Sequence, residues 1–168
     1  MFYIYTDASF RNTDKVGVIG FLIFENEPEH NVAHIEAADF HSIVIKESNN
    51  IRCEFRAVLE AMKFIQPRLT AHASSVKIHT DCQAVTKLTS RREHLEKNQF
   101  QSLSSGTRLA NADLYEEFFS LYDAINPVIH WIKGHASQES QDAIQRNFSF
   151  VDKAVRRQLR SIPDAKLK

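Results

Sequence analysis

Hydrophobic and polar positions along this chain switch repeatedly between two periods. Short runs rich in β-branched and aromatic residues are typical of buried strands. Five such runs occur, at residues 2–6, 16–24, 40–45, 76–80 and 128–132. Elsewhere the apolar residues recur every three or four positions, which is typical of amphipathic helices. These helical segments lie near residues 51–65, 81–95, 113–124 and 148–159.

The order of these elements predicts the fold class. The first three strands follow one another without a helical segment between them, so we expect an antiparallel meander. The first, fourth and fifth strands are joined through helices, which favours parallel pairing. We therefore predict an α/β fold with a five-stranded mixed sheet, antiparallel meander plus parallel strands, flanked by helices. The 168 residues show no repeats and no linker, so we expect a single domain over residues 1–168.

Composition narrows the class of protein without identifying a function. A hydrophobic content of 43% and a charged content of 25% are ordinary for a globular protein. No apolar run reaches the length of a membrane span and no basic-then-apolar leader opens the chain, so we expect no membrane partner. The two cysteines, Cys53 and Cys82, lack C-x-x-C spacing. This argues against a disulfide framework or a zinc site and favours a reducing, cytoplasmic location. We also expect the chain to be a monomer.

The charges are balanced overall but unevenly distributed. The net charge is zero, which by itself argues against a nucleic-acid partner. Residues 51–97 nevertheless hold 9 Lys or Arg against 5 Asp or Glu, and residues 133–168 hold 8 against 4. Two basic segments that meet on one face would permit binding to a phosphate backbone.

Two acids follow strand-like runs in the same way. Asp7 comes after residues 2–6 and Asp81 after residues 76–80, each directly behind a threonine. If the two strands are neighbours, both carboxylates lie at the strand tips on one edge of the sheet. Their charges then repel unless a cation lies between them. Taken singly, each Asp is more often a helix cap.

Two further acids lie on predicted helices. Glu54 is in the first turn of one helix, where a glutamate is often a capping or dipole residue. Asp152 borders the apolar stripe of the last helix, where an acid is costly unless it is paired or bound to a metal. Four converging acids would supply the oxygen ligands and the charge that a pair of hard divalent cations requires.

Five segments together resemble ribonuclease H of type 1: YTDAS, SNNIRCEFRAVLEAM, HTDCQAV, HWIKGHAS and NFSFVDKAVRR. The resemblance implies a ribonuclease H-like fold and an endonuclease that hydrolyses the RNA strand of RNA–DNA hybrids, giving 5′-phosphate and 3′-hydroxyl ends. It implies two Mg²⁺ ions, with Mn²⁺ as a substitute, one activating water and the other stabilising the leaving oxygen. The implied metal ligands and catalytic acids are Asp7, Glu54, Asp81 and Asp152.

The resemblance also implies roles for residues outside the acids. His135, in the KGH segment, would assist catalysis and product release. The implied nucleic-acid contacts are Asn50, Gln83, Ser9, Arg91, Arg92 and Lys97. The last three correspond to a basic protrusion that carries a Trp in many relatives but has none here. Ala8 and Cys82 stand where the family usually has Gly and Ser, and because all four residues are small we expect the backbone path to be kept.

Several alternatives remain open. Asp7, Asp81 and Glu117 reproduce the acid order of an integrase or transposase core, and a non-cleaving hybrid-binding domain would show the same fold. Asp142 competes with Asp152 as the last metal ligand. The helix around Asp152 is anchored by apolar residues, so we favour Asp152, with the residues before it forming a mobile loop that carries His135. We expect Trp131 to be a core residue.

Overall fold

The sheet is built around a strand from the first residues of the chain. The computed structural model describes residues 1–26, 40–69, 75–133 and 142–164. The strands are β1 (Phe2–Arg11), β2 (Val16–Phe24), β3 (Phe40–Lys46), β4 (Val76–Thr80) and β5 (Val128–Trp131). The α-helices of the described residues are α1 (Asn50–Ile65), α2 (Gln83–Thr86), α3 (Arg92–Lys97), α4 (Ala112–Ile125) and α5 (Ala143–Ser161).

The strand pairing confirms the predicted mixed sheet. The order across the sheet is β3-β2-β1-β4-β5. β1 and β3 both pair with β2 in antiparallel fashion, which forms the meander. β4 pairs with β1 and β5 in parallel. The parallel pairs follow from the helices between them in the chain, because a parallel connection needs a crossover.

Helices cover both faces of the sheet. Alternate residues of a strand point to opposite faces, so Ile4 and Tyr5 belong to different apolar clusters. Ile4 packs in the cluster formed with α1 and α4, which includes Leu59 and Phe118. Tyr5 packs in the cluster formed with α5, which includes Val151. The residues of α1 and α5 that follow the helical period are therefore the ones that the sheet buries.

The first strand is longer than the sequence pattern indicates. Its parallel pairing with β4 ends where Thr6 faces Thr80. Its antiparallel pairing with β2 continues as far as the pair of Arg11 and Val16. Asp7 therefore lies inside β1. The sequence had suggested that it lies at the tip of the strand. It lies at the tip only with respect to β4.

Two predicted helices also differ from the structure. The segment 81–95 is divided into α2, a 3₁₀ turn at Thr89–Arg91 and the start of α3. The hydroxyls of Thr86 and Ser90 donate to the carbonyls of Gln83 and Lys87, at 3.1 and 2.9 Å. Such side-chain bonds compete with a continuous helix.

The last helix begins earlier than its apolar stripe indicates. Asp142 is the N-cap of α5, and its side chain accepts from the backbone N–H of Gln145 at 2.8 Å. The Gln145 side chain accepts in return from the backbone N–H of Asp142, which completes a capping box. Asp142 therefore caps the last helix and does not belong to the loop that the sequence predicts before Asp152.

Trp131 is not a core residue. β5 is an edge strand, and 48% of the Trp131 surface is exposed. Its indole N–H donates to the backbone carbonyl of Asp81 at 3.1 Å. The bond explains why this aromatic residue stays at the surface, since the indole ties β5 to the residue that follows β4. Within the described ranges, none of the helices has the length and apolar character needed to span a bilayer.

A glycine in β2 determines how closely α5 approaches the sheet. Gly20 lies opposite Asp7 in the β1–β2 register. A Cβ built at Gly20 would lie 2.5 Å from Cγ1 of Val155 and 3.0 Å from the Phe40 ring. Real side-chain atoms do not pack at such distances, so α5 can lie at its observed height only with glycine at this position.

We expect Gly20→Ala to destabilise the protein by about 1–3 kcal/mol, the usual cost of overpacking a core. Thermal or urea unfolding measures the change. In a Val155→Ala background the clashing methyl is absent, so the same substitution should cost much less, and the double-mutant cycle should show coupling. Additive effects would contradict a contact between α5 and Gly20.

Candidate active site

The sheet places two of the predicted acids side by side. β1 and β4 are parallel neighbours, and their last paired residues are Thr6 and Thr80. Asp7 and Asp81 are the next residues of the chain after this pair, so both lie at the edge where the parallel pairing ends. The chain turns after Asp81, where the backbone N–H of Cys82 donates to the Thr80 hydroxyl at 3.2 Å. The paired strands, as the Thr-Asp repeats predict, bring the two acids together.

Asp7 is a buried carboxyl surrounded by other carboxyls. It is 7% exposed. Burial, followed by the negative charge of Asp81 and that of Asp152, raises the pKa of Asp7 to about 8. Asp7 also shares a hydrogen bond with Asp152. At neutral pH the Asp7 carboxyl is therefore protonated and can donate this hydrogen bond, which removes part of the repulsion between the acids.

Helix α5 positions the partner acid, Asp152, and it covers the face of the sheet to which Tyr5 and Asp7 point. Asp152 lies one turn before Val155, the residue that packs over Gly20. Its Oδ1 also lies 2.6 Å from Nε of Arg156, one turn further along the helix. The close approach of α5 to β2 therefore brings Asp152 to Asp7. Asp142 is at the start of the same helix, where it forms the capping box.

Glu54 joins the group from α1. Its Oε1 accepts a hydrogen bond from Nδ2 of Asn50 at 2.6 Å, and its carboxylate also accepts from the thiol of Cys82. Burial raises the pKa of Glu54, and the charge of Asp81 raises it further, while these two hydrogen bonds lower it. Burial and the neighbouring Glu54 raise the pKa of the Cys82 thiol to about 12, so the thiol stays a donor.

The four predicted acids thus form one connected group, in the order Glu54, Asp81, Asp7 and Asp152. Asp81 acts electrostatically on both Asp7 and Glu54, and Asp7 is bonded to Asp152. In this conformation no three Asp, Glu, His or Cys side chains of the described residues are close enough together to bind a metal ion as they stand. The donors nevertheless fit a hard divalent cation, because all four are carboxylates and their repulsion is what a bound cation would offset.

Three of the other predicted residues, Asn50, Gln83 and Ser9, lie on the elements that carry the acids or directly beside them. Asn50 and Gln83 are exposed at the first positions of α1 and α2, next to the elements that carry Glu54 and Asp81. Ser9 lies further along β1, past Asp7. His135 and the predicted mobile loop lie outside the described residues, so both remain predictions.

The basic residues of the protrusion differ in how they are paired. Arg91 and Lys97 are exposed. Arg92 instead pairs with both oxygens of Asp123, with an Nη2–Oδ2 distance of 2.8 Å, and its Nε lies 2.7 Å from Glu96. The guanidinium of Arg92 is thus less available to a phosphate than the sequence alone suggested.

The third acid of the integrase-like pattern is engaged elsewhere. Glu117 on α4 pairs with Arg56 at 2.9 Å and with Lys63 at 2.5 Å, both on α1. These contacts join α4 to α1. Its charge is already offset by two cations, so it resembles a structural residue more than a metal ligand.

Three contacts of the site were not anticipated from the sequence. They are the Asn50–Glu54 bond, the Cys82–Glu54 bond and the Trp131–Asp81 bond. The first has a sequence signal, because residues four apart on a helix are neighbours. The other two join residues from different elements, and no spacing in the chain indicates them.

Comparisons with known proteins agree on one family. The family described as RNase H matches residues 1–160. A ribonuclease H of Treponema denticola is 26% identical over 153 residues, which cover 85% of this chain and 91% of the relative. A solved structure of LC9-RNase H1, a type 1 RNase H with the type 2 active-site motif, shows a TM-score of 0.65 at 18% identity, over 93% of this chain and 70% of that one.

A further structural likeness is to a viral protein. The foamy viral protease-reverse transcriptase in complex with RNA/DNA hybrid matches with a TM-score of 0.68 at 14% identity. The match covers 96% of this chain and 20% of that chain. At such identities the two structures show the fold, which confirms the predicted ribonuclease H-like architecture.

We expect Asp7 to make the metal-free protein less stable as the pH rises. Its folded pKa of about 8 exceeds its ordinary value of 3.8, so the folded state holds the proton more tightly than the unfolded chain. The resulting stability is complete below the ordinary pKa and is lost as the pH rises through about 8. With a chelator present, Asp7→Asn should melt at a higher temperature than wild type near pH 9 and at a similar temperature near pH 4.

Asp113→Asn is the control of opposite sign. A hydrogen bond from Arg52 lowers the pKa of Asp113. Its contribution to stability is therefore present above the ordinary pKa and is lost as the pH falls. Melting curves of both variants over the same pH range check the prediction, and a similar pH profile for the two variants would contradict the assignment of Asp7.

Proposed function

The chain belongs to the ribonuclease H family of metal-dependent hydrolases, and we propose that it cleaves the RNA strand of RNA–DNA hybrids with two divalent cations. The observation that carries the proposal is the buried acid group. Asp7 is buried beside Asp81 and Asp152, and this burial together with the two neighbouring charges raises its pKa. Burying carboxylates together costs free energy unless their charges are offset. Divalent cations bound to these oxygens would offset them.

The residues proposed to hold the cations are Asp7, Glu54, Asp81 and Asp152, and Mg²⁺ is the proposed ion, with Mn²⁺ as a substitute. Bound there, the cations would supply an activated water and stabilise the charge on the leaving oxygen. Asp7 first has to give up its proton, because its pKa is raised to about 8. The bond from Asn50 and the bond from the Cys82 thiol hold Glu54 oriented in the meantime.

The proposed reaction is a hydrolysis at one phosphate of the RNA strand. Water adds to phosphorus while the bond from phosphorus to the 3′ oxygen breaks. The products are a 5′-phosphate and a 3′-hydroxyl. His135 is proposed to exchange the proton with the reacting phosphate and to assist product release, in keeping with its place in the KGH segment.

Selection of RNA is proposed to rest on the 2′-hydroxyls, since these distinguish RNA from DNA. Asn50 and Gln83 are exposed at the starts of α1 and α2, beside the acids. Both carry amide side chains that donate and accept hydrogen bonds. Ser9 extends the same surface along β1. The hybrid is the proposed partner, and the chain is proposed to act as a monomer of one domain.

The integrase-like alternative has less support. It requires Glu117 to complete a site with Asp7 and Asp81, but Glu117 is paired with Arg56 and Lys63. Glu54 and Asp152 would have no role in it, although Glu54 and Asp7 are both affected by Asp81 and Asp7 is bonded to Asp152. A non-cleaving domain would have no use for a costly group of four acids.

We expect Asp152→Asn to lower the rate of hybrid cleavage by more than about 100-fold, the upper end of the loss on removing an outer-shell group of a metal site. Asp142→Asn is the matched control on the same helix. Asn is as good an N-cap as Asp, so this variant should cleave at nearly the wild-type rate. Labelled RNA–DNA hybrid, double-stranded RNA and double-stranded DNA of one sequence, each with Mg²⁺ or Mn²⁺, form the assay.

Two results of this assay would contradict the proposal. Loss of activity in Asp142→Asn with full activity in Asp152→Asn would reverse the choice of the last ligand. Cleavage of double-stranded DNA that depends on Glu117, tested with Glu117→Gln, would instead support the integrase-like reading.

The exposed cations of the protrusion should contribute to hybrid binding. Replacing Arg91 and Lys97 together by Ala should flatten the dependence of log K on log salt by about 1–2, since each phosphate contact accounts for roughly 0.9 with B-form DNA. Arg92→Ala should change the slope less, because Arg92 is already paired with Asp123 and Glu96. Binding isotherms at several salt concentrations, with an inactive variant, measure the slope.

Arg68→Ala is the control for this measurement. Arg68 lies beyond the C-terminal end of α1, at the opposite end of this helix from Glu54. The Arg68 guanidinium stacks on Phe64, 3.6 Å from the centre of the ring. Arg68→Ala should leave the slope unchanged. Equal slopes for wild type and the Arg91, Lys97 double variant would show that the protrusion does not contact the phosphates.

A further inference from the structure

A cavity of about 410 Å³ lies at the β4–β5 edge of the sheet, next to the start of α5. This size is within the range of small-molecule sites. We call it the β4–β5 pocket, and the residues that define it here are Tyr3, Lys77, His79, His130, Trp131 and Lys133. None of the acids proposed to bind metal lines it. The pocket is therefore separate from the site described above.

One wall of the pocket is a column of stacked rings. His79 lies between Tyr5 and His130, with ring centroids 5.0 and 5.1 Å apart and interplanar angles of 13° and 18°. These are ordinary aromatic stacking distances. Tyr5 and His79 are buried, whereas His130 is exposed. The column therefore ends in an accessible ring on which a further flat ring can stack.

The inner histidine carries an unsatisfied polar atom. His79 is 5% exposed, and its Nε2 has no hydrogen-bond partner among the described residues. Burial, the nearby His130 and Lys77 lower the pKa of His79 to about 4, so the ring is neutral. Buried polar groups are nearly always paired, and a polar ligand in the pocket can supply the partner.

The cations beside the column favour an anionic group. Lys77 precedes His79 by two residues on the same face of β4, and its Nζ lies 5.2 Å from the centre of the Tyr3 ring. Lys133 is exposed just past the end of β5. The single carboxylate lining the pocket, among the described residues, is that of Asp142. That carboxylate caps α5 through Gln145, and its charge also acts on His79, where it partly opposes the lowering of the pKa.

We propose that the β4–β5 pocket binds one unpaired nucleotide, with its base stacked on His130 and its phosphate held by Lys77 and Lys133. Base stacking on aromatic rings beside cations is the usual way in which proteins bind single-stranded nucleic acid. The same chemistry would accept a free mononucleotide or a nucleotide of a single strand that extends from a hybrid. Trp131 joins the pocket to the proposed active site, because it lines the pocket and its indole donates to Asp81.

The pocket contains its own reporter. Trp131 is the one tryptophan in the sequence, so intrinsic fluorescence follows events at the pocket wall. In chelator, uridine 5′-monophosphate should change the fluorescence in a saturable way, and inorganic phosphate or uridine alone should do so only at much higher concentration. A response to phosphate equal to that for the nucleotide would reduce the pocket to an anion site and overturn the proposal. No saturable change with the nucleotide would also overturn it.

Matched variants test the two contacts. His130→Ala should weaken nucleotide binding by about 5- to 150-fold, the range for loss of one base stack, and Lys77→Ala should weaken it as well. His94→Ala and Lys87→Ala, which change the same residue types at exposed positions outside the pocket, should bind as wild type does. If His130→Ala does not fold, His130→Phe keeps a stacking ring and should retain binding. Equal affinity for all these variants would overturn the proposal.

The source of the nucleotide is separated by a second comparison. The inference rests on the proposed function only in assuming that a hybrid brings an unpaired strand to the pocket. With wild type, a hybrid carrying a short single-stranded extension should bind more tightly than a blunt hybrid of the same duplex, and His130→Ala should abolish the difference while leaving blunt-hybrid cleavage unchanged. Binding of the mononucleotide without this difference would identify the free nucleotide as the ligand. Failure of hybrid cleavage, with nucleotide binding intact, would overturn the proposed function alone.

Discussion

The close approach of two helices to strand β2 is the constraint on which the candidate site depends. On one face, a Cβ at Gly20 would lie 2.5 Å from Cγ1 of Val155 in α5. On the other face, a Cβ at Gly17 would lie 2.5 Å from Sγ of Cys53 in α1. Val155 is three residues beyond Asp152, and Cys53 is next to Glu54. Two glycines in one strand thus allow both helices to bring their acids to the edge where β1 and β4 separate.

This packing brings negative charges close to one another, whereas several acids elsewhere in the protein are paired with cations. Arg52 on α1 pairs with Glu47 and Asp113 at 2.6 and 2.7 Å, and the pKa values of both acids are lowered. In the candidate site the pKa values of Asp7 and Glu54 are raised instead. The contrast arises because Glu47 and Asp113 accept hydrogen bonds from Arg52, whereas Asp7 and Glu54 are buried beside other acids. A group of acids that burial and mutual repulsion keep partly protonated is suited to exchange its proton for a metal ion.

The rigid parts of the site and its accessible parts lie on different elements. Asp7 and Asp81 are tied to paired strands, and Asp152 to a helix whose stripe, including Val151 and Val155, is fully buried. Asn50 and Gln83 lie exposed at helix starts, where they can meet a ligand. Trp131 connects the two kinds of element, because its exposed indole bonds to the backbone of Asp81. Precise placement of reactive groups needs such support from the core.

The sequence by itself determined the order of strands and helices, the mixed sheet and the family, because these follow from local periodicity and from motifs on contiguous residues. It also suggested that Asp7 and Asp81 could lie together, since each follows a strand in the same way, but the pairing of β1 with β4 came from the structure. It did not determine where β1 ends, because that depends on β2 continuing to pair as far as Arg11. Nor did it show that Asp142 caps α5 or that Trp131 lies at the surface. Only the tertiary structure decided that Cys82 bonds to Glu54 and that Tyr5, His79 and His130 stack across three strands. Such contacts depend on strand register and on the distance between a helix and the sheet, and residue spacing within one segment determines neither.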